Sequence, residues 1–289
     1  MLLVCLIWGI NFSVTKAVLD RFPPLAFNAI RFTIAAVLLV PLVRRIEGHN
    51  RLPPGALRRL VVLGIVGNTL YQLAFISGLA RTSASNSALI LAAMPSIVAL
   101  LAAGLGLDPM RPSVIGGVFV ATLGVVLVVL ARGTGFGGGA LSGDLLTLAA
   151  VGFWASYTLG LRTIPAGVTP LRVTMVTTVA GAPGLLLAGV PDLATMDWGG
   201  IGLPGWGALA YATLLSLLVA YVIWNRSVQL VGPSRTVIYM CITPLVAVMG
   251  AAVFLGERPH PLQGVGAVLI LAGVLLVRGR ASASGAASP

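Results

Sequence analysis

The chain has 289 residues, of which 58% are apolar and 9% charged, against roughly 25% charged in an ordinary soluble domain. A water-soluble surface cannot be assembled from that composition, and at roughly 20 apolar residues per crossing the chain holds material for about ten membrane helices. The net charge of +11 is scattered over basic residues at the ends of apolar runs, with no basic block, and reads as topology signal rather than a nucleic-acid surface.

Ten apolar runs follow in chain order, at about 1–19, 24–43, 60–80, 84–106, 113–131, 145–162, 170–190, 205–225, 236–255 and 262–277. The first lacks a basic leader segment and an A-x-A-like cleavage site, so it reads as a retained helix and not a signal peptide. Cys5 and Cys241 both fall inside apolar runs, which gives neither a disulfide framework nor metal spacing. With the N-terminus cytoplasmic, twelve arginines, from Arg44 to Arg280, fall on inner segments, against Lys16, Arg21, Arg81, Arg132 and Arg258 on outer ones. The positive-inside rule therefore puts both termini in the cytoplasm.

An internal repeat is the most informative feature. A shift of 149 lays Pro95 on Pro244, Asp108 on Glu257, Gly117 on Gly266 and Gly124 on Gly273. A shift of 146 lays Trp8 on Trp154 and Pro24-Leu25 on Pro170-Leu171. Residues 1–132 and 143–280 read as two five-helix units joined by a glycine-rich linker, 133–142, and followed by a disordered tail, 281–289. Five is odd, so the second unit enters the membrane from the opposite side. The expected fold class is an all-α membrane protein of ten transmembrane helices in two inverted five-helix repeats, an arrangement that transporters use for alternating access.

Trp8-Gly9 with Asn11-Phe12, Arg31-Phe32, the prolines inside the fourth and ninth runs and Gly256-Glu257-Arg258-Pro259 resemble the drug/metabolite transporter superfamily, in its ten-helix EamA branch. That resemblance covers nearly the whole chain. It implies a bacterial inner-membrane exporter, with amino acids among the substrates of the branch. In the first repeat Leu107-Asp108-Pro109 stands where the family has Gly-Glu-Arg.

Competing motifs carry less. Gly133–Gly138 matches GxGxxG but follows a membrane run and opens no βαβ unit, so it reads as linker. His49 and His260 lie in separate connections, and no nucleophile, metal or phosphate-loop constellation is present. No enzyme, cofactor or metal is expected, and the partners are a small-molecule substrate and the bilayer. Gly117, Gly124, Gly266 and Gly273 recur every seven residues, as close helix packing requires.

Membrane-depth polar and aromatic residues supply the site candidates. Trp8 and Asn11 share one face of the first helix, with Trp154 and Tyr157 in the corresponding places of the sixth. Tyr71 and Gln72 of the third run, and Tyr239 and Thr243 beside the ninth-run proline, complete the expected substrate surface. Pro95 and Pro244 interrupt equivalent helices and are expected to gate, because such interruptions mark transporter sites. Asn28 and Arg31 are expected in an outer vestibule, and Trp198, Trp206 and Trp224 in the interfacial belt. This surface suits amino acids, aromatic ones included, and carries no buried net charge. Drug or organic-cation export is the alternative within the class, and a membrane enzyme or channel the alternative outside it. No Asp or Glu sits at mid-membrane, so a carboxylate proton relay is not visible.

Overall fold

A computed structural model of the chain describes residues 1–48, 52–107, 112–131 and 138–278. Among these residues the regular structure is entirely helical. The elements are α1 (Leu2–Lys16), α2 (Pro24–Glu47), α3 (Ala56–Arg81), α4 (Ala84–Gly104) and α5 (Pro112–Leu130), then α6 (Gly138–Gly160), α7 (Pro170–Thr195), α8 (Gly202–Val231), α9 (Thr243–Leu255) and α10 (Pro261–Arg278). Two short turns of helix, Pro233–Thr236 and Val237–Cys241, lead into α9.

Seven helical stretches are long and apolar enough to cross a membrane, and Leu2–Lys16, Tyr239–Leu255 and Pro261–Leu276 are shorter apolar helices. At 1.5 Å per residue, the 15 residues of α1 reach about 22 Å. The outward surface is apolar: Leu187, Leu203 and Val253 are each at least 75% exposed, which suits hydrocarbon and not water. The chain is therefore a multi-pass helical membrane protein. The expected linker shrinks, because α6 already begins at Gly138. The rest of that stretch, 133–137, lies outside the described residues, as do His49, Asp108 and the tail.

Small residues bring the helices together. α5 packs on α10, α2 on α7, α1 on α9, and α3 on both α6 and α7. At the α5–α10 seam a Cβ on Gly273 would stand 2.4 Å from the Gly117 carbonyl, and one on Gly124 2.6 Å from the Gly266 carbonyl. The seven-residue glycine spacing thus does what packing demands. Likewise Gly64 and Gly181 bring α3 and α7 into backbone contact, and Gly189 fits against Leu25 of α2.

Two pairs of irregularities interrupt the rods. In α3 the stretch Ile65–Leu70, and in α8 the stretch Ala212–Val219, widen into π-helix. A π-turn holds an extra residue and rotates the face that follows it. Here it re-aims Tyr71-Gln72 and Tyr221. In α4 the helix Ala84–Leu91 breaks at Ala92-Ala93 and restarts with Met94-Pro95, while α9 starts with Thr243-Pro244 after a tighter turn.

Candidate functional site

A cavity of about 30 Å³ lies where α1, α2, α3, α6 and α8 meet, closed on its remaining side by the breaks of α4 and α9. Its lining includes Trp8, Asn11 and Phe12 of α1, Arg31 of α2, Tyr71, Gln72 and Phe75 of α3, and Trp154 of α6. Ser216, Leu217 and Tyr221 of α8 complete it, with Leu91 and Met240. The volume accommodates about two waters, far below the roughly 300 Å³ of a small-ligand pocket. At this volume the cavity is too small to hold an amino acid.

Aromatic rings fill it. Trp8 stands edge-on to Trp154 at 5.7 Å and to Tyr221 at 5.9 Å. Trp154 lies 4.8 Å from Tyr71, 5.0 Å from Tyr157 and 5.2 Å from Tyr221. Offset and edge-on pairs of this kind are worth roughly 0.5–1.5 kcal/mol each beyond burial. Trp224, expected at the interface, is instead fully buried against Trp8 and Trp154, at 5.3 and 5.7 Å. The fourth-turn periodicity that puts Trp224 one turn after Tyr221 and Ala220 carries it inward. Trp198 and Trp206 do stack side by side on the exposed surface.

The polar groups form two chains. In the first, Arg31 Nη2 donates to Gln72 Oε1 at 2.8 Å, Gln72 Nε2 donates to the Tyr221 hydroxyl at 3.0 Å, and Asn28 Nδ2 donates to the Gln72 carbonyl at 3.0 Å. In the second, the Tyr157 hydroxyl donates to Asn225 Oδ1 at 2.8 Å, and Asn225 Nδ2 donates to Thr174 Oγ1 at 2.9 Å. Trp8 Nε1 donates to the Ser216 carbonyl at 2.9 Å, which the widened helix leaves within reach. Asn11 Oδ1 is buried with no partner.

Of the expected site residues, Trp8, Asn11, Tyr71, Gln72 and Trp154 come together on the cavity, with Tyr157 directly behind Trp154. Two expectations need correction. Tyr239 is 42% exposed on the outer surface, because the tight turn Val237–Cys241 presents Met240 to the cavity in its place. Thr243 is buried nearby, donating to Met240 Sδ at 3.8 Å. Arg31 does not stand in a separate vestibule: it is 3% exposed and lines the cavity itself, so the site carries a buried positive charge. Asn28 is fully buried beside it. Tyr221, a polar aromatic residue at membrane depth in α8, also lines the cavity, together with Phe75, Leu91 and Met240, which the sequence does not mark as site residues. Their signal was spacing: Phe75 follows Tyr71 by one turn, and Leu91 and Met240 precede Pro95 and Pro244 by one turn. Both prolines stand in the first turn of a helix that restarts after a break, so Leu91 and Met240 belong to the breaks themselves.

Each end of the bundle is pinned by polar contacts. At one end the Glu257 carboxylate accepts from Ala84 N, Ser85 N and Ser85 Oγ at 2.9, 3.0 and 2.6 Å. It thereby caps the positive N-terminus of α4. Thr82 Oγ1 donates to the buried Asp144 at 2.8 Å, Gln263 bonds Asn86, and Lys16 Nζ donates to the Leu79 and Ala80 carbonyls. At the other end Arg172 pairs with Glu47 at 3.3 Å, Thr169 donates to the same carboxylate at 2.6 Å, and Arg59 bonds the Thr163 carbonyl.

Comparison with known proteins agrees with this architecture. The model of the EamA-like transporter family matches residues 1–130 and 141–279. The chain is 31% identical to the Uncharacterized transporter YyaM of Bacillus subtilis (strain 168), over 94% of this chain and 90% of that protein. It is 28% identical to the Probable amino-acid metabolite efflux pump of Salmonella typhimurium, over 95% of this chain and 92% of that one. A solved crystal structure with 18% identity superposes with a TM-score of 0.66, covering 99% of this chain and 96% of the other, and shares the fold. These relatives are named as transporters and efflux pumps, not enzymes. The two matches span nearly every residue of both halves, and on that ground the chain belongs to the EamA-like transporter family.

Proposed function

We propose that this protein exports small metabolites, amino acids including aromatic ones, by alternating access across a bacterial inner membrane. In this reading ten helices form two inverted repeats, 1–132 and 143–280, with both termini in the cytoplasm. The observation that carries it is that corresponding residues of the two halves meet each other at the cavity. Trp8 and Trp154, 146 positions apart, stand 5.7 Å from one another. Gln72 and Tyr221, 149 apart, share a hydrogen bond. Equivalent groups touch in this way where a pseudo-two-fold axis passes between them, and transporters of inverted-repeat type bind substrate at that place.

The helix contacts support the same axis. The pairing of α1 with α9 has its counterpart in α6 with α4, that of α3 with α6 in α8 with α1, and that of α3 with α7 in α8 with α2. The paired π-turns and the paired proline breaks follow the same correspondence. Two near-equivalent halves can exchange conformations, opening the Glu257 end or the Glu47 end in turn. The amino-acid assignment draws on the efflux pump of Salmonella typhimurium and on a cavity that combines flat aromatic walls with amide and guanidinium donors. Export of organic cations is disfavoured, because the Arg31 charge in the cavity repels them.

Counterflow in proteoliposomes tests this. Wild-type protein exchanges amino acids, whereas a channel gives no counterflow. Trp154→Ala is expected to weaken transport of phenylalanine about tenfold, the equivalent of one well-formed ring contact, with alanine transport changed less than about twofold. Gln72→Ala is expected to weaken both alike. Equal transport per molecule of both substrates by both variants would misplace the site.

A further inference from the structure

We infer that Arg31 is the anchor for a carboxylate on the transported molecule, so the protein selects small monoanionic or zwitterionic carboxylates. The inference rests on the central-cavity reading above and specifies its chemistry.

Arg31 is always protonated at neutral pH, and the residue is 3% exposed. A buried cation without compensation costs several kcal/mol, yet its compensation here is incomplete. Nη2 donates to Gln72, while Nε and Nη1 have no partner. The rings of Phe27 and Phe32 lie 5.7 and 5.3 Å away, and the ionisable groups that face the guanidinium are the phenols of Tyr221 and Tyr71.

No carboxylate of the described residues serves as its counter-ion. Glu47 is engaged by Arg172 and Thr169, Glu257 by the start of α4, and Asp144 by Thr82. Asp20 follows α1, Asp192 closes the last turns of α7, and Asp197 accepts from Gly199 N. A stability role alone would be served better by an apolar side chain of similar size. What remains is a fixed positive charge on a residue that lines the cavity, with two buried donors that have no partner, and such a group recognises a carboxylate through charge-assisted hydrogen bonds.

The stoichiometry favours a single carboxylate over a phosphate. One guanidinium neutralises one negative charge, whereas a phosphate dianion would bring a surplus charge into a cavity walled by aromatic rings. The second half of the chain does not repeat the feature: Thr177 occupies the position 146 residues on, and its hydroxyl donates to the Val173 carbonyl. The cavity thus has one anion pole, on the α2 side. Gln72 links that pole to Tyr221 across the cavity, so a bound carboxylate is felt directly by a residue from each half.

The test is a tryptophan-fluorescence titration of the full-length purified protein, since Trp8 and Trp154 line the cavity. The probes are L-phenylalanine, L-phenylalaninamide, 3-phenylpropionate and 2-phenylethylamine. Wild-type protein is expected to bind the two acids at least about tenfold more tightly than the amide or the amine, as a buried charged hydrogen bond requires. Arg31→Gln should lose that preference by weakening the acids alone, and Arg31→Lys should recover part of it. Because the acid-to-amide comparison uses wild-type protein, it stands even if a variant fails to fold. Equal affinity for phenylalanine and its amide overturns the anchor while leaving amino-acid export intact. Binding of 3-phenylpropionate without any transport of amino acids supports the anchor and overturns the amino-acid reading. Binding of 2-phenylethylamine alone overturns both.

Discussion

The α5–α10 seam offers a perturbation whose sign can be worked from the backbone. A Cβ on Gly273 would stand 2.4 Å from the Gly117 carbonyl oxygen and 2.6 Å from the Ala121 nitrogen, where ordinary contact begins at 3.4 Å. Both obstacles are backbone atoms, so no side chain can swing aside, and Gly273→Ala must part the two helices by about 1 Å. A radial gap of that size forfeits about a quarter to a half of the dispersion energy along the seam. Overpacking of this kind costs about 1–3 kcal/mol. Gly116 and Gly264 lie on the same two helices with nothing within 4 Å of an added Cβ. Alanine there removes backbone freedom without a clash and should stabilise by roughly 0.5–1 kcal/mol. Unfolding free energies from denaturant titration in detergent micelles should therefore move in opposite directions for Gly273→Ala and for Gly116→Ala or Gly264→Ala. If all three variants shift together, or if Gly273→Ala matches the wild type, close backbone approach is not what joins the two helices.

Two further outcomes are expected. Replacing Pro95 and Pro244 together with alanine removes the rings that fix φ in the first turn after each break and allows α4 and α9 to continue as unbroken helix; transport per molecule should fall at least fivefold, or about 1 kcal/mol in barrier, with expression little changed, and unaltered counterflow would reduce the prolines to packing. Glu257→Gln keeps the shape but removes the charge from the cap on α4, so it should destabilise by about 0.5–2 kcal/mol; hydrogen exchange at the amides of residues 84–86 should quicken accordingly, and unchanged exchange would show that the charge contributes nothing there.

Composition by itself determined the class of this protein, since a chain with 9% charged residues has no soluble fold available to it. The helix-forming runs were legible for the same reason: in hydrocarbon each run must satisfy its own backbone, so length and apolarity mark it. The glycine seams and the aromatic pair Trp8 and Trp154 were legible because their spacing repeats in both halves. Tertiary structure decided what periodicity cannot carry. The π-turns at Ile65–Leu70 and Ala212–Val219 rotate the faces that follow them, which a constant 3.6-residue period does not anticipate. They bring Gln72 to Tyr221, and Gln72 in turn holds Arg31. Depth along α2 placed Arg31 about 12 Å below the outer interface, in an outer vestibule, whereas the packing of α2 against α3 makes it part of the cavity wall shared with Tyr71 and Gln72. Likewise Tyr239 and Met240 are adjacent in sequence, and only the tight turn before α9 selects the methionine to face the site and sends the tyrosine outward. Which side chain enters a shared cavity depends on the rotation of each helix about its axis, and that rotation is fixed by neighbours far away in the sequence.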